Sequence, residues 1–394
     1  MKKVYYIFDT PPLESYYERY AMDYLCEKGI EVHVIDLSPI IDPMAYASVT
    51  AGLIKDVKRE IFYDKLSFKK YAKFISDGAF FIFTTDFIYD IYFVYKCIRK
   101  TQYYGYFTRM DTCVEPDKPA SSDRVKGLIG KDFFHHVISS AFIRIPRNLL
   151  PIKAADFFFL GGLANKDDYI KLGYTDAHTK ICHIHSMDYE VYMKARAVKT
   201  RLVREKYCVF LDQYIGYHPD GIKMGYDFDP GIYYEAMNKF LLLIEKRYGV
   251  KVIIALHPRA NVEVCRKVYK EFEMRRFQTA ELVKDCEFVI GHPSNSLSFA
   301  ALFYKPVLLC MTTEMLAHRL WRDKVNKYAE LYDTNVLNIS TLDNILLPEK
   351  IDLNIEKYKQ YIQLYHKANL EQEDELLGAR LLKEFSIING EDVR

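Results

Sequence analysis

The segment Ile253-Ile254-Ala255-Leu256-His257-Pro258-Arg259 joins an apolar run to an imidazole, a proline and a guanidinium. The run reads as a buried strand. Proline stops it and fixes the direction of the chain, which delivers His257 to the carboxyl edge of a sheet. An imidazole placed there donates to a phosphate oxygen, and once protonated it adds a full charge. Arg259 adds a donor fork suited to phosphate. Taken alone, a strand-end histidine that merely closes a loop has the same signature.

The partner comes later. Phe288-Val289-Ile290 breaks into Gly291-His292-Pro293-Ser294-Asn295-Ser296, and an apolar run follows. Ser294, Asn295 and Ser296 ahead of that run mark a helix N-terminus. Free amides and the helix dipole attract an anion there, each contributing roughly 0.3–1 kcal/mol. Plain capping uses the same residue types, and one hydroxyl can cap while another reaches a ligand. Together the two segments hold the parts of a phosphate site, which points to a nucleotide-activated substrate.

Transfer from such a substrate calls for a base. Asp212 follows the strand-like run Tyr207–Leu211. A carboxylate at that strand end is placed to take a proton from an acceptor hydroxyl, an effect of roughly 10²–10⁴ in rate. Gly216, Pro219 and Asp220 nearby equally describe an ordinary turn, and His218 reads as a loop histidine. Asp9, Asp86 and Asp111 are rival strand-end carboxylates. His183 and His185 share one face of a strand, with Asp188 close by, but no further ligand is placed and no metal site is expected. His135-His136 is a weaker pair still. The chain has no Gly-x-Gly-x-x-Gly, no Walker loop and no Gly-x-Ser-x-Gly, so the common dinucleotide, ATPase and hydrolase signatures are missing. No cofactor is expected.

The elements that carry these residues read as two β-α-β series. Val4–Phe8, an amphipathic stretch from Glu14 to Lys28 closed by Gly29, and Glu31–Asp36 open the first. That order implies parallel strands with right-handed crossovers. Phe80–Thr84, Gly105–Thr108, Asp156–Leu160 and Lys180–His185 continue it, and 114–131 reads as a polar loop. The second series takes Tyr207–Leu211, a helix from Ile232 to Tyr248, Lys251–Leu256, helices at Glu263–Glu273 and Thr279–Lys284, Phe288–Ile290 and Pro306–Cys310. The expected fold is α/β: two Rossmann-like domains with parallel sheets facing a central cleft. Residues 1–195 form the acceptor-side domain and 196–350 the nucleotide-binding domain. Residues 351–394 form helices that pack back on the first domain.

Composition narrows the class. Half the residues are apolar and 27% are charged, with a formal net charge of +2. A dedicated nucleic-acid binder would show a basic excess, so no nucleic acid is expected as partner. Tyrosine is abundant, 33 residues against one tryptophan, and suits cores that border a wet cleft. The eight cysteines include no Cys-x-x-Cys and read as reduced core residues. No signal peptide or membrane-spanning run is evident. The expected location is cytoplasmic, with peripheral contact at the inner face of the plasma membrane left open.

These residues resemble the bacterial GT-B glycosyltransferases that build surface polysaccharides, and within them the sialyltransferase-like group. His257-Pro258 matches the group's His-Pro motif and Ser294-Asn295-Ser296 looks like its Ser/Thr motif. Asp212 sits, loosely, where some relatives carry an acidic residue. The likeness covers mainly residues 207–310. It implies a nucleotide-sugar donor, CMP-linked by preference, whose phosphate His257 and the serines contact. A carboxylate base and an inverting, metal-independent transfer to a saccharide or lipid-linked saccharide acceptor go with it. Many GT-B enzymes hold the ribose with a glutamate after the Ser motif. Phe299 stands near that place here, so ribose binding must be done otherwise, with Glu281 and Glu314 as candidates. A nucleotide-sugar 2-epimerase, a CDP-polyol phosphotransferase and a non-catalytic nucleotide-sugar binder are the alternatives.

Overall fold

Val4, Tyr6 and Phe8 point to one face of the first strand while Tyr5 and Ile7 point to the other, and all five are buried. A strand covered on both faces needs an unbroken apolar run, which is the habit of parallel sheets. In the computed structural model this strand, β1 (Lys3–Phe8), lies inside a seven-stranded parallel sheet. The structure describes residues 3–48, 57–84, 89–108, 114, 137–138, 141–142, 145, 149–164, 175–218, 228–341 and 345–388.

The other strands of that sheet are β2 (Glu31–Asp36), β3 (Lys58–Ile61), β4 (Phe80–Phe83), β5 (Tyr103–Thr108), β6 (Phe157–Leu160) and β7 (Lys180–His183). Their order is β3-β2-β1-β4-β5-β6-β7. The chain divides into two compact units, and this sheet organises the first, which ends at Glu190 and resumes at Leu364. Its C-terminal helix, Leu377–Ile388, buries Leu377, Leu381 and Phe385 in the core beneath β1 and β4. The Phe385 ring lies 5.0 Å from that of Phe80.

The expected single helix from Glu14 to Lys28 is two, Ser15–Arg19 and Met22–Glu27. Ala21 between them is left-handed at φ 55°. The Tyr6 hydroxyl donates to the Tyr20 carbonyl at 2.7 Å, so a side chain takes an acceptor at the break.

The second unit, from Val191 to Gln363, is built on a six-stranded parallel sheet. Its strands are β8 (Tyr207–Leu211), β9 (Lys251–Leu256), β10 (Glu273–Arg276), β11 (Val289–Gly291), β12 (Val307–Met311) and β13 (Val336–Asn338). The order is β10-β9-β8-β11-β12-β13. The chain reverses its direction of winding between β8 and β11, the topological switch point at which ligands bind in such sheets. The helix Pro230–Tyr248 follows β8. Asp229 caps it by accepting from Ile232 N, and Gly249 ends it at φ 62°. The helix expected to run to Glu273 stops at Tyr269. Lys270 is left-handed there, at φ 52°, and Glu273 opens β10. No helix among the described residues is long and apolar enough to cross a membrane.

Candidate phosphate-binding site at the carboxyl edge of the second sheet

Strand register fixes what meets at the edge. Leu211 of β8 pairs with Ala255 of β9 on one side and Gly291 of β11 on the other. Asp212 and His292 follow those aligned residues directly, and His257 comes one residue farther on, after Leu256 ends β9. Neighbouring strands lie about 4.8 Å apart. The exits of β9 and β11 thus flank that of β8 with roughly 10 Å between them, a gap that side chains reaching inward from both sides can close on one phosphate.

His257 is partly exposed at the end of β9, and Pro258 and Arg259 beyond it are exposed. The Arg259 amide donates to His257 Nδ1 at 3.1 Å. That bond fixes the tautomer: Nδ1 accepts, so Nε2 carries the proton. A tight turn closed by Ala260 N donating to His257 O at 2.9 Å holds the imidazole in place.

Ser294 caps the next segment, its Oγ accepting from Ser296 N at 3.3 Å. The segment begins as a 3-10 turn, Asn295–Leu297, and passes into the five-residue helix Ser298–Leu302. The expected α-helix start is therefore short, and the dipole contributes little. What remains is chemistry of side chains and turn amides, with Asn295 exposed and Ser294 and Ser296 partly exposed. Gln213, beyond Asp212, donates from Nε2 to Pro293 O at 2.9 Å and ties the β8 exit to this loop.

Asp212 does not face open space as expected. It is 5% exposed. The Tyr269 hydroxyl and Tyr214 N donate to Oδ1 at 2.6 and 3.0 Å, and His257 N donates to Oδ2 at 3.4 Å. Burial pushes its carboxyl above the ordinary 3.8, against these hydrogen bonds, which favour the charge. A carboxylate so enclosed holds the β8 and β9 exit turns together. His292 is buried as well. It bonds the Cys310 carbonyl from Nδ1 at 2.6 Å and the Tyr233 hydroxyl through Nε2 at 2.7 Å, and desolvation brings its imidazole down to about 4. It is a neutral structural histidine.

The remaining expected residues scatter. Asp9 is partly exposed just past β1, in the first unit. Asp86, Asp111, His135 and His136 lie outside the described residues. Glu281 stands in the first turn of the helix after β10 and Glu314 in the first turn of the helix after β12. His185 is buried in the first unit, bonded to Glu190 at 3.1 Å and to the Glu375 carbonyl at 2.9 Å. Asp188 pairs with Arg19 at 3.8 Å. No group of three His, Cys, Asp or Glu among the described residues is placed to hold a metal.

The sequence marks His218 only as a loop histidine. The His218 ring stands edge-on to that of His257, with centroids 4.6 Å apart and planes at 81°. A signal was present. His218-Pro219, His257-Pro258 and His292-Pro293 are the only His-Pro pairs in the sequence. They follow β8, β9 and β11, three adjacent strands of the second sheet.

No protein-family model and no curated protein sequence matches this chain. Solved structures do match. The wall teichoic acid polymerase TagF aligns with 98% of this chain and 90% of its own, with a TM-score of 0.53 and 13% identity. The S. aureus MnaA–UDP structure covers 99% and 97% at TM-score 0.48 and 14% identity. MurG of Acinetobacter baumannii covers 99% and 100% at TM-score 0.44 and 8% identity. At such identities the likeness concerns the fold, which is GT-B: two Rossmann-like domains, each on a parallel sheet.

Proposed function

We propose that the protein is a glycosyltransferase that uses a nucleotide-sugar donor in surface-polysaccharide synthesis, a CMP-linked nonulosonic acid such as sialic acid being the favoured donor. One observation carries the reading. An imidazole protonated on Nε2 follows β9 and a serine-rich turn follows β11, the two strands that flank β8 at the switch point of one sheet.

The donor phosphate rests against His257, Arg259, Ser294, Asn295 and Ser296. The acceptor hydroxyl oxygen attacks the anomeric carbon, and the bond from that carbon to the phosphate oxygen breaks. The nucleotide leaves with the electron pair, its growing charge met by donors already in place. Direct displacement of this kind inverts the anomeric centre, and no metal is invoked. The proton goes to a carboxylate. Asp212, the first expectation, is enclosed by three donors, so we assign it the holding of the two exit turns. Asp9 is the alternative that the sequence offers for the base.

A second reading is transfer of a polyol phosphate from a CDP-linked donor. The likeness to TagF favours it, since a structure of TagF soaked with CDPG aligns with 99% of this chain at TM-score 0.50. There the acceptor oxygen attacks phosphorus and CMP leaves. The acceptor, saccharide or lipid-linked, is common to both readings.

Thermal-shift titration with CMP, CDP, UDP and GDP tests the shared premise, because a ligand of the folded state raises its stability. Release of CMP from CMP-sialic acid, against release from CDP-glycerol, each with and without acceptor, separates the two readings. Nucleotide release without any acceptor points to an epimerase. Binding without turnover leaves a non-catalytic binder. No shift with any nucleotide, or full activity in His257→Ala at sub-saturating donor, overturns the phosphate site.

A further inference from the structure

The turn after β8 is built with unusual care for a surface connection. Tyr214 has φ 54° and Gly216 φ 78°, both left-handed. Such a conformation in a non-glycine residue is costly, and it clusters at functional sites where surroundings over-determine it. Here they do. Tyr214 N donates to Asp212 Oδ1, and Tyr217 N donates to Tyr214 O at 3.1 Å. The Tyr217 ring lies against Tyr214 at 5.4 Å and stacks on Tyr234 at 6.0 Å. Gly216 packs so closely that an added Cβ would meet Pro230 Cβ at 2.8 Å.

The result is the placement of one ring. His218 emerges from this turn edge-on to His257, at 4.6 Å. Asp212 reaches both turns, Oδ1 to the turn that bears His218 and Oδ2 to the amide of His257 itself. One buried carboxylate thereby sets the spacing of two imidazoles. Both side chains are partly exposed at the switch point of the sheet.

We propose that His218 is a second imidazole of the phosphate site, binding the same anionic group of the donor as His257, with Asp212 as the residue that positions the pair. The proposal rests on the reading of His257 as a phosphate ligand. Two imidazoles in contact serve a dianionic or diphosphate group better than one, because each donates to a different oxygen.

Isothermal titration of the full chain with CMP and CDP tests this, together with ring-nitrogen NMR of the histidines. The expected result is that nucleotide moves the resonances of both His218 and His257. His218→Ala and His257→Ala should each weaken binding about tenfold, with little change in Tm. The double variant should lose less than the product of the two single losses, since the rings act on one group. His218→Gln, which keeps an N–H donor, should recover part of the affinity and guards against misfolding in the alanine variant. Full affinity in His218→Ala while His257→Ala is impaired overturns the proposal and leaves the site reading standing. Absence of nucleotide binding by the unaltered protein overturns both.

Discussion

The Tyr269 hydroxyl donates to Oδ1 of Asp212 across 2.6 Å, and both side chains are buried. Tyr269 closes the helix Val262–Tyr269, and Asp212 opens the exit of β8. Through this bond the helix that follows the His257 turn braces the carboxylate that braces the turn. Tyr269→Phe should cost roughly 1.5–3 kcal/mol, the range for a lost hydrogen bond to a charged group. Urea unfolding at neutral pH reads it, and unchanged stability would show the bond to be idle.

Asp212 also makes a pH prediction. Burial raises its folded value above the ordinary 3.8. An acid shifted upward favours the folded state while it is protonated. The contribution is full below pH 3.8 and fades as pH rises through the raised value. Asp212→Asn should remove that part of the pH dependence. Unfolding titrations of the two proteins from pH 4 to 7 must therefore diverge. Parallel curves would mean that the carboxyl titrates normally.

His292 and His366 bear on acid stability in the opposite sense. Each is fully buried, and desolvation lowers each from 6.5 to about 4. Below pH 6.5 the unfolded chain takes up protons that the folded chain refuses. Stability is thus intact above 6.5 and falls as pH drops toward 4, by about 3 kcal/mol per histidine. His292→Gln should flatten its share of the slope in the second unit. A stability curve level between pH 6.5 and 4 in the unaltered protein is the outcome that contradicts this.

Those histidines show where the sequence was legible and where it was not. Most strands of both sheets could be read, because a strand covered on two faces is a continuous apolar run; Val4–Phe8 and Val252–Leu256 are such runs. β10, with the sequence Glu273-Met274-Arg275-Arg276, is not legible as a strand, and only its first residue falls in the expected helix, because edge strands are polar. At the site, the same dipeptide has three fates. His257 is partly exposed with a fixed tautomer, His218 stands against it, and His292 is sealed between Tyr233 and Cys310. Sequence places all three at strand exits, but direction depends on the turn: left-handed residues at Tyr214 and Gly216 set it for His218. Asp212 escaped for the same reason, since its partner Tyr269 is 57 residues away.

The closing helix of the first unit offers a test in which propensity and packing disagree. Glycine within a helix is usually improved by alanine, by about 1 kcal/mol. At Gly378 an added Cβ would meet the Tyr24 side chain at 2.4–2.7 Å, its Cβ included. Tyr24 sits on the helix Met22–Glu27 and has no room to withdraw its root. Gly378→Ala should therefore destabilise, and Phe385→Ala, which empties a site beside Phe80, should cost about 3–5 kcal/mol. A rise in Tm for Gly378→Ala would show that the two helices part easily.

The last prediction separates backbone strain from function. Gly216 and Gly249 are both left-handed, at φ 78° and 62°. A side chain at either carries the left-handed penalty of roughly 1–2 kcal/mol. Around Gly249, however, nothing lies within 4 Å of an added Cβ, whereas at Gly216 that atom would meet Pro230 Cβ at 2.8 Å and Phe228 O at 3.2 Å. Phe228 O is backbone, so the turn bearing His218 is what must give. Gly249→Ala should lower Tm and leave affinity for CMP and CDP as it was. Gly216→Ala should lower Tm by more and weaken nucleotide binding several-fold, because His218 can no longer stand against His257. Calorimetric titration of both variants decides: equal affinities would mean that the turn can move without disturbing the site, and that its strain serves the fold alone.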